Sequence, residues 1–114
     1  MTVVSDSGKL SLSLWTAPKQ PPSRGVNRVK LEVSDSLTAA PVGGLAVSIV
    51  PWMPSMGHGT SVVPTVVEQG SGVYVADNVN FIMPASWQLR IALSSGADAA
   101  TEVTDSATPS FDIP

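Results

Sequence analysis

Between residues 87 and 93 the chain reads Trp87-Gln88-Leu89-Arg90-Ile91-Ala92-Leu93, in which large apolar side chains alternate with polar or small ones. Successive side chains of a β-strand point to opposite faces of its sheet. A period of two therefore places all the large side chains of this stretch on one buried face. The stretch predicts a β-strand, with Trp87 as a structural residue of the core.

The same alternation recurs towards the N-terminus. Leucines alternate with polar residues between Leu10 and Leu14, and branched residues alternate with charged ones between Val29 and Val33. A third apolar run, Leu45 to Ile49, precedes Pro51, which has no N–H to donate to a neighbouring strand. These runs predict three further strands, the last of them closed by Pro51.

The rest of the chain is divided into short segments by turn residues. A Val-rich run over residues 61–68 and Val73-Tyr74-Val75 flank a Gly-containing turn and predict a hairpin. Residues 79–83 predict a separate short extended run that stops at Pro84, and residues 111–113 predict an edge strand. Seven or eight strands at this spacing are typical of an immunoglobulin-like β-sandwich, so we expect an all-β fold.

Composition limits the chain to one folded domain. A chain of 114 residues can bury one core but not two, so we expect a single domain over residues 1–114. Its hydrophobic fraction of 43% is too high for disorder, and its 10 prolines and 9 glycines interrupt every stretch long enough to form a membrane span. The sequence thus predicts no transmembrane segment.

Charge and cysteine content exclude several functions. The net charge of −3 provides no basic field for neutralising phosphates, so we expect no nucleic-acid partner. The absence of cysteine excludes disulfides, thiolate metal sites and cysteine nucleophiles. The segment that begins at Met1 lacks the pattern of a signal peptide, and we favour a chain trimmed to its mature domain over one that never had a signal.

One loop collects rare residue types. It reads Pro51-Trp52-Met53-Pro54-Ser55-Met56-Gly57-His58-Gly59 and contains two of the four methionines and the single histidine. Met83 also lies beside a proline at the end of an apolar run. Thioether sulfur is a soft, neutral ligand that prefers Cu(I) or Ag(I), and a neutral imidazole can complete such a site. We therefore predict a Cu(I) site, which Ag(I) can also occupy, built from Met53, Met56, His58 and Met83.

Simpler roles compete with this prediction. Methionines beside strands commonly fill gaps in a core, and this alternative applies most to Met53 and Met83. A histidine between glycines is commonly a solvated loop residue. Trp52 either belongs to the core or caps the metal with its ring face. The coincidence of several soft ligands in one loop favours the metal site.

Three runs of the sequence resemble the YtkA-like domain family and its FixH-like relatives. They are Met53-Pro54-Ser55-Met56-Gly57-His58-Gly59, Gly72-Val73-Tyr74 and Met83-Pro84-Ala85-Ser86-Trp87-Gln88-Leu89, and the resemblance covers roughly residues 25 to 95. These relatives are bacterial extracytoplasmic immunoglobulin-like domains, often lipid- or membrane-anchored, associated with copper handling and with cytochrome oxidase assembly. The resemblance implies a periplasmic or otherwise extracytoplasmic location for this domain.

The resemblance also implies roles for individual residues. Met53, Met56, His58 and Met83 would line one end of the sandwich, and Trp87 would anchor the core. Ala85 departs from the glycine that often follows the second Met-Pro pair, which makes the position of Met83 the least certain. A copper exporter, a chaperone or an oxidase-assembly protein is the implied partner, although the transmembrane segment of FixH-like proteins is missing here.

Catalysis is the least favoured function. A single histidine and the lack of a Gly-x-Ser-x-Gly motif argue against a Ser-His-Asp triad. Paired carboxylates for acid–base work are not evident, since Asp77 is near no obvious partner for that chemistry, and Asp98, Glu102 and Asp105 are expected to form a solvated edge. Two hypotheses remain: a non-enzymatic Cu(I)-binding protein for sequestration or transfer, or an immunoglobulin-like interaction module without metal, such as an accessory or oxidase-assembly domain.

Overall fold

The structure is a computed structural model that describes residues 1–60, 63–95 and 104–114. The described residues form ten β-strands, rather than the seven or eight expected. In chain order they are β1 Thr2–Val4, β2 Leu10–Ala17, β3 Gly25–Asp35, β4 Leu45–Met53, β5 His58–Gly59, β6 Thr65–Gly70, β7 Val73–Phe81, β8 Ala85–Ser95, β9 Thr104–Ala107 and β10 Ser110–Ile113. Within these ranges no helix is long and apolar enough to cross a membrane.

Two antiparallel sheets face each other across one core. The first has the strand order β1-β2-β3-β7-β6, and the second has the order β10-β8-β4-β5. Strand β9 pairs with the C-terminal half of β8 and β10 with its N-terminal half, so both lie along the same edge of β8. The all-β, immunoglobulin-like sandwich predicted from the sequence is confirmed.

The alternating runs supply the core, as predicted. Trp87 is fully buried and contacts the ring of Phe81 edge-to-face, with 5.4 Å between centroids and 72° between planes. The other large side chains that are almost completely buried come from both sheets: Leu12, Leu14, Leu31, Ile49, Met53, Tyr74, Leu89, Ile91 and Leu93. The prediction that Trp87 is a core residue is confirmed.

Pro51 does not end its strand, and that prediction was wrong. Strand β4 continues to Met53, with Pro51 opposite Leu89 of β8. The N–H of Leu89 donates to the carbonyl of Pro109, so it points away from β4. Because facing residues of an antiparallel pair alternate between bonded and non-bonded positions, the nitrogen of Pro51 also points away from β8. The proline therefore costs this ladder no hydrogen bond.

The segment over residues 79–83 is not a separate extended run either. Strand β7 continues through it to Phe81, and the interruption is a β-bulge, where the register with β3 shifts between Asn27 and Val29. Asn78 has a φ of 61° at this point, and asparagine tolerates that left-handed conformation better than most residues. The predicted hairpin is confirmed, as β6 pairs with β7.

Strand pairing defines two ends of the sandwich. At one end lie the loops of residues 18–24, 54–57 and 82–84, because Ala17 pairs with Arg28, Gly25 with Phe81, and Trp52 with Gln88. We call this the methionine end. At the other end lie the turns of residues 5–9, 36–44 and 71–72, which we call the tyrosine end.

Candidate metal centre

The predicted ligand loop is a tight hairpin between β4 and β5. Met53 and His58 face each other across it. The carbonyl of Met53 accepts hydrogen bonds from the N–H groups of Met56, at 3.2 Å, and Gly57, at 3.0 Å. Gly57 has a φ of 65°, which a side chain would strain, so a glycine is needed to close the turn. Four residues thus reverse the chain and return His58 to Met53.

Met53 and His58 occupy one face of the hairpin but differ in exposure. Directly opposed residues of an antiparallel pair project to the same side, here the side towards the sheet interior. The Met53 side chain is completely buried, whereas His58 is exposed. Met53 therefore also has the packing role that the sequence left open, and its sulfur lies on the core side of His58.

The imidazole of His58 has one nitrogen engaged. Its Nδ1 lies 2.9 Å from the carbonyl oxygen of Gly59. A carbonyl oxygen can only accept, so Nδ1 carries the hydrogen and Nε2 retains its lone pair. A metal-binding histidine commonly has this arrangement, in which a second partner selects the tautomer and orients the ring.

Met83 is held at the same end by the core. It lies in the loop of residues 82–84, and its carbonyl accepts a 2.9 Å hydrogen bond from the indole N–H of Trp87. Trp52 pairs with Gln88, so the next position of each strand brings Met53 beside Trp87. Trp87 thus links the loop of Met83 to the strand of Met53. The Met83 side chain is 38% exposed, and Met56 in the hairpin turn is 58% exposed.

The structure places all four predicted residues at the methionine end, with Met53 buried and Met56, His58 and Met83 at the surface. Their donor atoms are three neutral sulfurs and one imidazole nitrogen, a soft set that suits a monovalent ion. Among the described residues, no three His, Asp or Glu side chains form a group that could hold a metal.

Trp52 does not take part in this arrangement. It lies on the opposite face of β4 from Met53, and the Arg90 guanidinium stacks over its ring at 4.0 Å from the centroid. The alternative role as a metal cap is not supported by this position.

The Gly-x-Tyr motif has a structural explanation at the other end. A Cβ on Gly72 would lie 2.6 Å from the carbonyl oxygen of Val33, so no side chain fits there. The buried Tyr74 hydroxyl donates to the carbonyl of Val42 at 3.0 Å and accepts from the N–H of Leu45 at 3.1 Å. Burial raises the pKa of Tyr74, which keeps the hydroxyl protonated as a donor. The Tyr74 hydroxyl thus holds residues 42–45, which lead into β4.

Contacts distant in sequence determine the surroundings of two acidic residues, and the expectation of a solvated Asp105 was wrong. Asp77 has a partner, since the Nε of Arg28 lies 2.6 Å from its carboxylate. Asp105 is buried rather than solvated, and Ser7 donates to it through both its N–H and its hydroxyl. Both partners are too far away in sequence, by 49 and 98 residues, for local pattern to show them. Asp98 and Glu102 lie outside the described residues.

The pKa of Asp105 reports this environment. Burial alone would raise it, but hydrogen bonds from Ser7, Ser5 and Ser106 outweigh burial and lower the pKa to about 2. The carboxylate joins the turn after β1 to the edge strand β9. Its role is structural, and it lies at the tyrosine end, away from the predicted ligands.

Comparison with known proteins agrees with this two-sheet sandwich. The model of the YtkA-like family matches residues 10–92. The chain therefore belongs to the YtkA-like family, as its motifs had indicated.

A solved structure has the same fold. It is a copper-bound variant of FetP from uropathogenic Escherichia coli, with a TM-score of 0.62 and 8% sequence identity. The match covers 98% of this chain and 93% of that one. At this identity the likeness establishes the fold alone. No curated protein matches the chain.

Proposed function

We propose that this domain binds copper as Cu(I) at the methionine end, through Met53, Met56, His58 and Met83. The observation that carries the proposal is the hairpin pairing, which sets His58 directly opposite Met53 with Met56 in the turn between them. The link from Trp87 to the carbonyl of Met83 adds the fourth residue. Ag(I), which has the same charge and similar softness, is expected to bind in the same way.

The donor set explains the choice of metal. Thioethers carry no charge, so a strongly hydrated dication such as Zn(II) gains too little from them to offset its lost water. Cu(I) is soft and weakly hydrated, and the free Nε2 of His58 supplies a neutral nitrogen. Because Nδ1 donates to Gly59, the ring is already in the tautomer that binding requires.

Exposure divides the ligands into two kinds. Met53 is completely buried and its position is set by the core, whereas Met56 lies at the tip of the hairpin with 58% of its surface exposed. A metal ion bound between them is reached from solvent through exposed, neutral ligands that exchange readily. This suits sequestration of copper or its transfer to another protein better than catalysis, so we assign no enzymatic activity.

Similar proteins also support the proposal of copper binding. The neighbouring FetP structure is copper-bound, and the chain belongs to the YtkA-like family. We propose that residues 1–114 act as one extracytoplasmic domain, periplasmic and lipid-anchored where a longer chain supplies the anchor. A copper exporter, a copper chaperone or an oxidase-assembly protein would receive or deliver the metal.

Anaerobic titration with Cu(I) against a competing chelator tests this proposal. The parent should bind one Cu(I), and a Met53→Leu, Met56→Leu, His58→Gln triple variant should bind at least about tenfold more weakly, a loss of 1.4 kcal/mol or more. Leucine keeps the volume of methionine, so the fold is retained.

A matched pair of variants in one loop controls for surface effects. Met83→Leu removes a sulfur and should weaken binding, whereas Ile82→Leu changes a neighbour that is also exposed, by 45% against 38% for Met83, and should not. Equal Cu(I) affinity in the parent and the triple variant would refute the copper site and leave the interaction module as the function.

A further inference from the structure

The outer face of the second sheet carries a groove that lies apart from the methionine end. It is open, has a volume of about 670 Å³, and runs over β4, β8 and β9. Its apolar lining includes Val50, Trp52 and Ala92, and its polar lining includes Arg90, Gln88 and the hydroxyl residues Ser48, Ser106 and Thr108. The groove is therefore an apolar surface with hydrogen-bonding groups at its margin, and Arg90 is the one cation among the described residues that line it.

Arg90 is the unusual member of this groove. Its guanidinium stacks on Trp52, 4.0 Å from the ring centroid, yet it makes no hydrogen bond or ion pair with any described residue. On the other sheet, Arg28 is paired with Asp77 at 2.6 Å and Lys30 with Glu32 at 3.5 Å. The guanidinium of Arg90 thus has its N–H donors available, whereas these two cations are already neutralised.

The strand register builds this stack. Val50 faces Arg90 and Trp52 faces Gln88, so Arg90 and Trp52 are diagonal neighbours on one face. Gly59 lies beside them on β5, where an added Cβ would come within 2.7 Å of the Pro51 carbonyl oxygen and 3.5 Å of Cε3 of Trp52. A side chain at position 59 would therefore clash with the Pro51 backbone, whereas its distance from the indole is an ordinary contact. The indole orients the guanidinium that stacks on it.

A stacked guanidinium is a preorganised carboxylate receptor. Stacking occupies the face of the group and leaves the in-plane N–H donors free to bind two oxygens at once. The ring also restricts the arginine side chain, so less conformational freedom is lost when a ligand binds. Ser48 and Thr108 add hydroxyl groups at the margin, whereas the Ser106 hydroxyl already donates to Asp6. Val50 and Ala92 add apolar area.

We propose that this groove docks an extended, acidic segment of a partner protein, with an Asp or Glu carboxylate held by Arg90 against Trp52. Charge complementarity points to this occupant: the chain has a net charge of −3, yet among the described residues the one charged side chain that lines the groove is a cation, Arg90, with no carboxylate partner. An open, apolar groove along the strands fits an extended peptide, whereas a free anion gains nothing from the apolar lining.

The groove lies close to the proposed copper ligands without containing them. Trp52 directly precedes Met53, but their side chains project to opposite faces of β4. A partner bound at Arg90 would contact the hairpin from outside and leave Met56, His58 and Met83 accessible. The proposal does not rest on copper binding and can be tested without metal.

Nuclear magnetic resonance with the ¹⁵N-labelled, metal-free protein provides the test. The probe is a capped peptide of alternating aspartate and serine, compared with the same peptide in which asparagine replaces aspartate. The acidic peptide should shift amide signals of residues 48–52, 88–92 and 106–108, and the neutral peptide should not. Arg90→Gln should weaken binding about tenfold or more, as expected for loss of a charge-assisted pair.

Two further variants sharpen the result. Arg90→Lys keeps the charge but not the planar fork, so binding should be intermediate. Arg28→Gln removes a cation on the other sheet and should leave binding unchanged. The proposal is overturned if no shifts occur at millimolar peptide, if they map to the loop of residues 18–24, if Arg90→Gln binds like the parent, or if inorganic phosphate reproduces the shifts at the same concentration.

Discussion

The two ends of the sandwich present different side chains. At the tyrosine end, polar side chains bind the backbone of the turns: Tyr74 bonds to residues 42 and 45, Glu68 bonds to the N–H of Gly44, and Asp105 bonds to Ser7. At the methionine end, Met56, Ile82 and Met83 are exposed apolar side chains. Hydrogen bonds to the turn backbone hold loops here too, since Asn27 donates to the carbonyls of Ser23 and Gly25, and Trp87 donates to that of Met83. The ends differ in that the methionine end also exposes two thioethers, those of Met56 and Met83.

The hydrogen-bonding residues of the tyrosine end are thus separate from the proposed metal ligands of the methionine end. Substitutions at the tyrosine end leave buried polar groups without partners, which is costly. Substitutions of Met56 or His58 at the other end alter exposed residues of a hairpin turn, so chemistry there can vary while the fold is kept. Trp87 is the exception, because it is a core residue and also holds the loop of Met83.

The largest effect is expected for Trp87→Ala. Loss of a fully buried indole, with its hydrogen bond to Met83, should lower the free energy of unfolding by about 3–5 kcal/mol. Trp15→Ala is the control, since that ring is 40% exposed and has Lys30 over it at 5.0 Å from the centroid, an interaction worth at most about 1 kcal/mol. Urea unfolding measures both. Equal midpoints for Trp87→Ala and the parent would contradict a core role.

Metal should stabilise the fold from the methionine end. A ligand that binds only the native state raises stability by about 2.7 kcal/mol when its free concentration is a hundred times Kd. We expect this increase with Ag(I) in thermal unfolding of the parent. The triple variant of Met53, Met56 and His58 should show a much smaller increase at the same concentration, and an identical shift in both proteins would place the ion elsewhere.

At the tyrosine end, Asp105→Asn should cost about 2 kcal/mol near neutral pH, because the folded pKa of about 2 lies below the ordinary aspartate pKa of 3.8. A depressed pKa stabilises the fold above the unfolded value, and this stabilisation is lost as pH falls towards 2. The stability difference between parent and variant should therefore shrink between pH 4 and pH 2. Urea unfolding across this range would reveal a constant difference if Asp105 were solvated.

Tyr74→Phe is expected to have the smallest effect, about 1 kcal/mol, because it removes two hydrogen bonds but keeps the buried ring. Hydrogen exchange at Leu45 should accelerate, since its N–H loses its acceptor. Unchanged exchange at Leu45 would mean that the hydroxyl does not hold this segment.

Residues close in sequence were predicted best. Strands β2, β3 and β8 follow from their period of two, because one buried face imposes that period directly on the chain. The hairpin that returns His58 to Met53 follows from a proline and a glycine within four residues. Prediction failed where strand pairing determines the structure, as at Pro51. Its missing N–H costs no hydrogen bond only because the register places it opposite Leu89 at a non-bonded position.

The sequence by itself determined the fold class, the family and the clustering of soft ligands, since local alternation and rare residue types carry this information. Only the tertiary structure decided that Asp105 is buried beside Ser7, that Arg28 neutralises Asp77, and that Arg90 stacks on Trp52. The physical reason is separation along the chain. Which partner neutralises or buries a charge depends on strand order and register, and these are set by packing of the whole sandwich rather than by neighbouring residues.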